Sequence, residues 1–273
     1  MVTDGRDYTR SLQVLVFITL LPLTVLPLTV NGQEGNLPVV AIIIDDMGNH
    51  RSLGEKFIEL PYPLTLSFLP YRMHTKAQAR QAHDAGKEVM LHTPMESSKG
   101  TPLGKGALHS SMSRPDLIAS LRKQIRSLPF ISGMNNHMGS GLTQNSEVMG
   151  WLMSELRQHP LYFVDSRTIA SSVAAEVSRQ NRIPTLERDV FLDHVISEEA
   201  IDSQFRRLLG IARQKGYAIA IGHPHAATLN YLTKTLPLLG EKGIALATIS
   251  RLVNFNPQII TYPDQAPALA GKN

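Results

Sequence analysis

Cysteine is absent from all 273 residues. Disulfide frameworks, thiolate-ligated metals and thiol nucleophiles are therefore excluded together. Long basic runs are also missing. Lys and Arg outnumber Asp and Glu by four, 27 against 23, but they are scattered. That argues against a nucleic-acid partner. No glycine-rich loop follows the first apolar run after the N-terminal region, which argues against a dinucleotide or P-loop site. There is no internal repeat and no second domain boundary.

What is present describes a globular chain, 42% hydrophobic and 18% charged, long enough for one large domain. Arg6 and Arg10 precede the apolar run SLQVLVFITLLPLTVLPLTVNG, broken by Pro22 and Pro27. A short basic region, an apolar stretch and Gly32 suggest a secretory signal over residues 1–32 and an exported, periplasmic product. The rival reading is an uncleaved anchor, which would give the protein its one membrane contact; two prolines weaken it as a single helix. Residues 33–255 then form the domain and 256–273 a frayed tail.

Within the domain, short continuous apolar runs alternate with helix-like stretches. The runs are Leu37–Ile44, Leu64–Leu69, Glu88–Leu91, Phe130–Met134, Leu161–Val164, Val190–Leu192, Tyr217–Ile221 and Ile244–Ile249. Continuous rather than alternating runs are what a parallel sheet buries on both faces. Ser113, Ser146 and Ser197 are expected helix caps. The fold class expected is α/β, a deformed (β/α) barrel of about seven to eight parallel strands with outer helices. An open doubly wound sheet is the alternative.

Nearly every apolar run ends in polar residues on its C-terminal side. The first ends in Asp45-Asp46 and the third in LHTPME, with His92 and Glu96. The fourth ends in NNHMGS, with Asn135, Asn136 and His137. The later ones end in Asp165-Ser166-Arg167, in Asp193-His194, and in GHPH with His223 and His225. A parallel barrel opens all its strand C-termini onto one face, so these scattered groups are expected to converge. Carboxylates and imidazoles without sulfur suit zinc, manganese, iron or cobalt. Asp46, His92 and either Glu96 or His137 would leave one position open for water, whose pKa the ion lowers. Asp45 is then free to act as base and His223 as acid. Singly, each residue has a plainer use: a cap for Asp45, a structural ring for His92, a solvated Glu96, an Asn-Gly turn around His137. Two consecutive aspartates weaken the first, because only one can cap.

The motifs IIIDDMG, HTPME, NNHMGS, FVDSRT, RDVFLD and AIGHP, in that order, resemble the divergent polysaccharide deacetylases, a distant branch of the NodB-type carbohydrate esterases. The resemblance covers about Leu37 to Phe255. It implies a deformed (β/α) barrel, one divalent ion, zinc ahead of manganese, iron or cobalt, and hydrolysis of an acetyl group on a sugar polymer by a metal-bound water. Asp45 matches the family's base and Asp46 its first ligand. His92-x3-Glu96 stands where the family has His-x3-His, so a nitrogen ligand has become an oxygen, and His137 offers the missing imidazole. His223 matches the acid, with Asp165 or Asp193 to orient it. Asn136, Arg167 and His225 are the expected substrate contacts. An acetylated envelope glycan is the expected partner. The alternative is a non-catalytic glycan- or envelope-binding protein on the same scaffold.

Overall fold

The structure is a computed structural model that describes Met1 and residues 37–255. The rest of the expected leader, and the expected tail, lie outside the described residues. Strands β1 (Val39–Met47), β2 (Thr65–Phe68), β3 (Glu88–Met95), β4 (Ile131–Met138), β5 (Tyr162–Asp165), β6 (Thr185–Glu187), β7 (Val190–Phe191), β8 (Tyr217–Gly222) and β9 (Ala245–Ala247) all pair in parallel. Their order is β6-β5-β4-β3-β2-β1-β8-β7. On one edge of β1, β9 takes Val39–Ala41 and β2 takes Ile43–Met47.

The two ends of this order meet in a single stretch of chain. Thr185–Glu187 pairs with β5 and Val190–Phe191 with β8. Between them, the Arg188 amide donates to the Asp165 carbonyl at 3.0 Å and the Asp189 amide to that of Ile219 at 2.9 Å. One broken strand thus links both ends of the sheet, and the fold is the expected deformed (β/α) barrel. The apolar run Val190–Leu192 marks its second half in the sequence, while no run marks its first. Thr185–Glu187 is too short to show a pattern and lies beside polar residues.

Helices α1 (Arg51–Glu59), α2 (Thr75–Asp84), α3 (Arg114–Ser127), α4 (Ser146–Leu156), α5 (Ala174–Gln180), α6 (Glu198–Lys215) and α7 (Ala226–Thr235) follow individual strands, and α8 (Ile249–Phe255) follows β9. Ser113 and Ser197 cap α3 and α6 through their side chains, each accepting a backbone N–H three residues on. For α4 the cap is Asn145, accepting from the Val148 amide, and not the expected Ser146; both types suit that position. Among the described residues no helix is long and apolar enough to cross a membrane.

Strand parity divides the core in two. Val40, Ile42 and Ile44 face outward into the helix layer with Phe57, Phe68 and Phe163. Ala41, Ile43, Met90, Val164, Ile219 and Ile221 face inward. The inner core is closed at the strands' N-terminal end by Ile249, Leu252 and Val253 of α8. That helix is fixed by Glu88, the first residue of β3, whose carboxylate accepts the Ile249 amide at 2.9 Å and the Thr65 hydroxyl at 2.6 Å. With one end plugged, the other remains open to solvent.

Candidate active site

The two adjacent aspartates pose a problem of parity. Asp45 continues the inward series of Ala41 and Ile43. A regular strand would turn Asp46 outward among Ile42, Ile44 and Phe68, where an unpaired carboxylate costs several kcal/mol (~5). The strand is not regular there. Asp46 adopts φ 57°, and the register with β2 slips between Ile44 and Met47. This is a β-bulge, and Asp is among the few non-glycine residues that accept the left-handed conformation. Met47 takes the outward position and joins the helix-layer core. Both carboxylates stay with the open end.

His92 on β3 and His137 on β4 meet Asp46 there. Asp46 Oδ1 lies 3.0 Å from His137 Nδ1 and 3.3 Å from His92 Nε2, and the two nitrogens are 3.1 Å apart. Asp46 Oδ1 is buried, and among the described residues no group beyond these two rings satisfies it. Burial alone would raise its pKa, but the two imidazoles hold the carboxyl well below the usual carboxylate range. Asn135 sets the orientation. Its Nδ2 donates to Asp45 Oδ1 at 2.8 Å, so its Oδ1 is an acceptor and receives His92 Nδ1 at 2.7 Å and Ser67 Oγ at 2.8 Å. His92 therefore keeps its Nδ1 on Asn135 and directs Nε2 at Asp46 and His137, the ring nitrogen a metal would take once it gives up its proton. Tetrahedral ligands about 2.1 Å from an ion sit roughly 3.4 Å apart, close to the distances here. Asp46, His92 and His137 fit a divalent ion: one buried oxygen and two nitrogens.

A second group comes from β8 and the turn after β7. His223 Nδ1 donates to Asp193 Oδ1 at 2.8 Å, and Asp193 Oδ2 accepts the His223 amide at 2.6 Å and the Thr228 hydroxyl at 2.7 Å. Burial disfavours the imidazolium of His223, yet Asp193 first, then Asp45 and Asp46, raise its pKa to about 9. The charges of both aspartates thus reach this ring across the open end. The Phe191 ring stacks at 6.2 Å from the His223 ring, and the Arg188 guanidinium covers Phe191 at 3.7 Å. His225 lies beside them, its ring 6.0 Å from that of His223.

Other expected site residues are placed elsewhere. Glu96 does not join the ligand cluster; its Oε2 accepts the Ser110 amide at 2.7 Å and the Ser110 hydroxyl. Pairing of β3 runs on to Met95, so Glu96 is the first residue past the ladder and is drawn into the following loop. Asp165 does not orient His223. It faces away and accepts the Arg167 amide at 2.8 Å and the Ser172 hydroxyl at 2.7 Å. Asn136 is spent on the backbone, accepting the Ser166 amide at 2.9 Å and donating to the Met138 carbonyl at 2.7 Å. Arg167 turns to Glu187 and the Ser172 carbonyl. Asn135, Ser67, Arg188 and Phe191 were given no role from sequence. Asn135 was findable, since it lies two residues before His137 and so shares its strand face. Nothing local marks Arg188.

Three comparisons place this geometry among known proteins. A family described as divergent polysaccharide deacetylase matches residues 42–253. The Escherichia coli K12 protein YibQ is 36% identical over 222 residues, which cover 81% of this chain and 69% of that one. A Haemophilus influenzae Rd protein is 32% identical over 202 residues, covering 74% of this chain and 72% of that one. The crystal structure of ATU2773 from Agrobacterium tumefaciens C58 superposes with a TM-score of 0.77 at 24% identity, over 80% of this chain and 89% of that one.

Proposed function

Because the chain belongs to the divergent polysaccharide deacetylase family, we propose that it is an exported, metal-dependent hydrolase that removes acetyl groups from an envelope polysaccharide. One observation carries this reading. The bulge at Asp46 splits the aspartate pair, so that one carboxylate joins two imidazoles as a donor set and the other, held by Asn135, stays outside that set. Asp46, His92 and His137 would hold one divalent ion, zinc ahead of manganese, iron or cobalt. When bound, such an ion supplies Lewis acidity toward water and toward an acetyl oxygen.

The chain's own residues supply the proton transfers. Asp45, oriented through Oδ1 by Asn135, takes the proton of the attacking water. His223 carries its proton at neutral pH, keeps Nδ1 on Asp193, and delivers the Nε2 proton to the departing amine or alkoxide. Phe191 lies along one side of the His223 ring, and Arg188 lies against Phe191. Export to the periplasm rests on the basic-then-apolar character of residues 1–32 and is checked by fractionating cells that express the chain with and without them.

The reaction is tested by measuring metal content and acetate release from N-acetylated chitohexaose and O-acetylated xylan. About one equivalent of a transition metal is expected in the wild type and none in His92→Ala, the usual result of removing one of three ligands. Asp45→Asn is expected to keep the metal and lose turnover. A protein that holds metal and binds these glycans without releasing acetate would be the non-catalytic binding protein instead. Absence of metal from the wild type after incubation with zinc or manganese would overturn the metal assignment.

A further inference from the structure

A cleft of about 460 Å³ lies outside the candidate active site, lined by Tyr71, Lys105, Ser120, Lys123, Arg126 and Ser127, with the Gly106 backbone as part of its wall. Its residues come from α3 and from the connections that leave the C-terminal ends of β2 and β3. Those are the strand ends that open onto the face holding Asp46 and His92.

The cleft is basic without internal compensation. Three cations line it and no carboxylate does. Elsewhere on α3, Arg122 meets Glu155 at 2.7 Å. Lys105, Lys123 and Arg126 have no ion-pair partner among the described residues. Lys105 instead sits 5.5 Å over the Tyr71 ring. Three like charges around one small cleft repel each other, and an anion between them relieves that repulsion.

The wall is fixed rather than a loose surface loop. Gly106 adopts φ 87°, and a Cβ there would lie 2.7 Å from Tyr71 Cε2, so glycine lets the loop approach that part of the ring. The Gly106 carbonyl accepts from buried Gln124 at 2.9 Å and from Ser120 at 3.3 Å. Tyr71 itself holds a left-handed backbone, φ 62°, and remains partly exposed. Strained backbone persists where surrounding contacts determine it, as at ligand clamps.

We propose that this cleft is a second glycan subsite that takes an anionic sugar unit, its carboxylate or phosphate held by Lys105, Lys123 and Arg126 and its ring set against Tyr71. The hydroxyls of Ser120 and Ser127 donate to the Gly106 and Gln124 carbonyls, so toward the sugar they offer oxygen lone pairs as acceptors. This rests on the glycan reading of the neighbouring site and narrows it to a polymer that carries negative charge.

The test compares binding of a hyaluronan hexasaccharide and of neutral N-acetylated chitohexaose by calorimetry, in wild type and in Lys105→Gln/Lys123→Gln/Arg126→Gln. All three side chains are exposed, and a matching thermal melt checks that the variant folds. The variant is expected to bind hyaluronan about tenfold more weakly, the combined effect of three exposed charge contacts, and wild-type affinity is expected to fall with added salt. Chitohexaose binding and acetate release should be equal in both proteins; these report on the glycan reading alone, so its failure is visible separately. Equal hyaluronan affinity in the two proteins overturns the subsite. Inorganic phosphate binding as tightly as the hexasaccharide overturns the sugar part and leaves a small-anion site.

Discussion

Asp193→Asn isolates what holds the proton on His223. The side chain keeps its shape but loses its charge. Two donors, the His223 amide and the Thr228 hydroxyl, converge on Asp193 Oδ2, and a backbone N–H can only donate. The asparagine oxygen must therefore stay on that side. Its amide N–H₂ then faces His223 Nδ1, which can only accept and so must be unprotonated. Asp193 is the leading upward influence on His223, ahead of Asp45 and Asp46, and burial pulls the other way. Its loss should return the pKa from about 9 to the ordinary 6.5 or below. That swing of about 2.5 units corresponds to roughly 3 kcal/mol, an upper figure because the ring is partly solvated and the pair shares the effect. The raised folded pKa means that this stability is fully present below about 6.5, the unfolded value, and is lost as pH rises through about 9. Histidine NMR titration of the chelator-treated protein measures the pKa directly, and thermal melts at pH 6 and pH 10 measure the linkage. The wild type should lose stability at the higher pH through this pair, and the variant should lose much less. In the metal-loaded enzyme, the basic limb of acetate release should move toward acid in the variant. A wild-type His223 that titrates below pH 7, or a variant that titrates like the wild type, would refute the reasoning.

Other substitutions probe the scaffold beneath the site. Gly133→Ala would place a methyl group 2.2 Å from the Tyr162 ring, and urea unfolding should show a loss of about 1–3 kcal/mol from this overpacking. Asn135→Leu strips partners from His92, Ser67 and Asp45 together. About 3 kcal/mol of stability should go with it, and isothermal titration with zinc should show weaker binding by about 10- to 100-fold. Arg188→Lys loses the paired bonds to the Ser166 and Arg167 carbonyls at 2.7 and 2.8 Å, and a lysine cannot cover Phe191 as a planar guanidinium does. Acetate release should fall in kcat while metal content stays unchanged.

Much of the fold was legible because parallel strands buried on both faces leave uninterrupted apolar runs, and because polar residues gathered at one end of those runs. Asp45, Asp46, His92, His137 and His223 were singled out on that basis, and the barrel brings all five to one end. Glu96 and Asp165 satisfied the same pattern and went elsewhere. Glu96 lies one residue beyond the ladder, and Asp165 ends its strand on the opposite parity. Strand boundaries and parity at strand ends are set by neighbouring strands, so no local signal separates these two residues from the ones that converge.

The sequence by itself determined the alternation of strands and helices, Thr185–Glu187 apart, the absence of thiol chemistry, and the placing of carboxylates and imidazoles at strand C-termini. Only the tertiary structure decided which of them meet. The left-handed turn at Asp46 reverses one side chain's face against the period-2 rule. Asn135 ties Asp45 to His92 across three strands. Arg188 reaches His223 only through the ring of Phe191. Each depends on contacts between residues far apart in the chain, and residue type at a position carries no record of such neighbours.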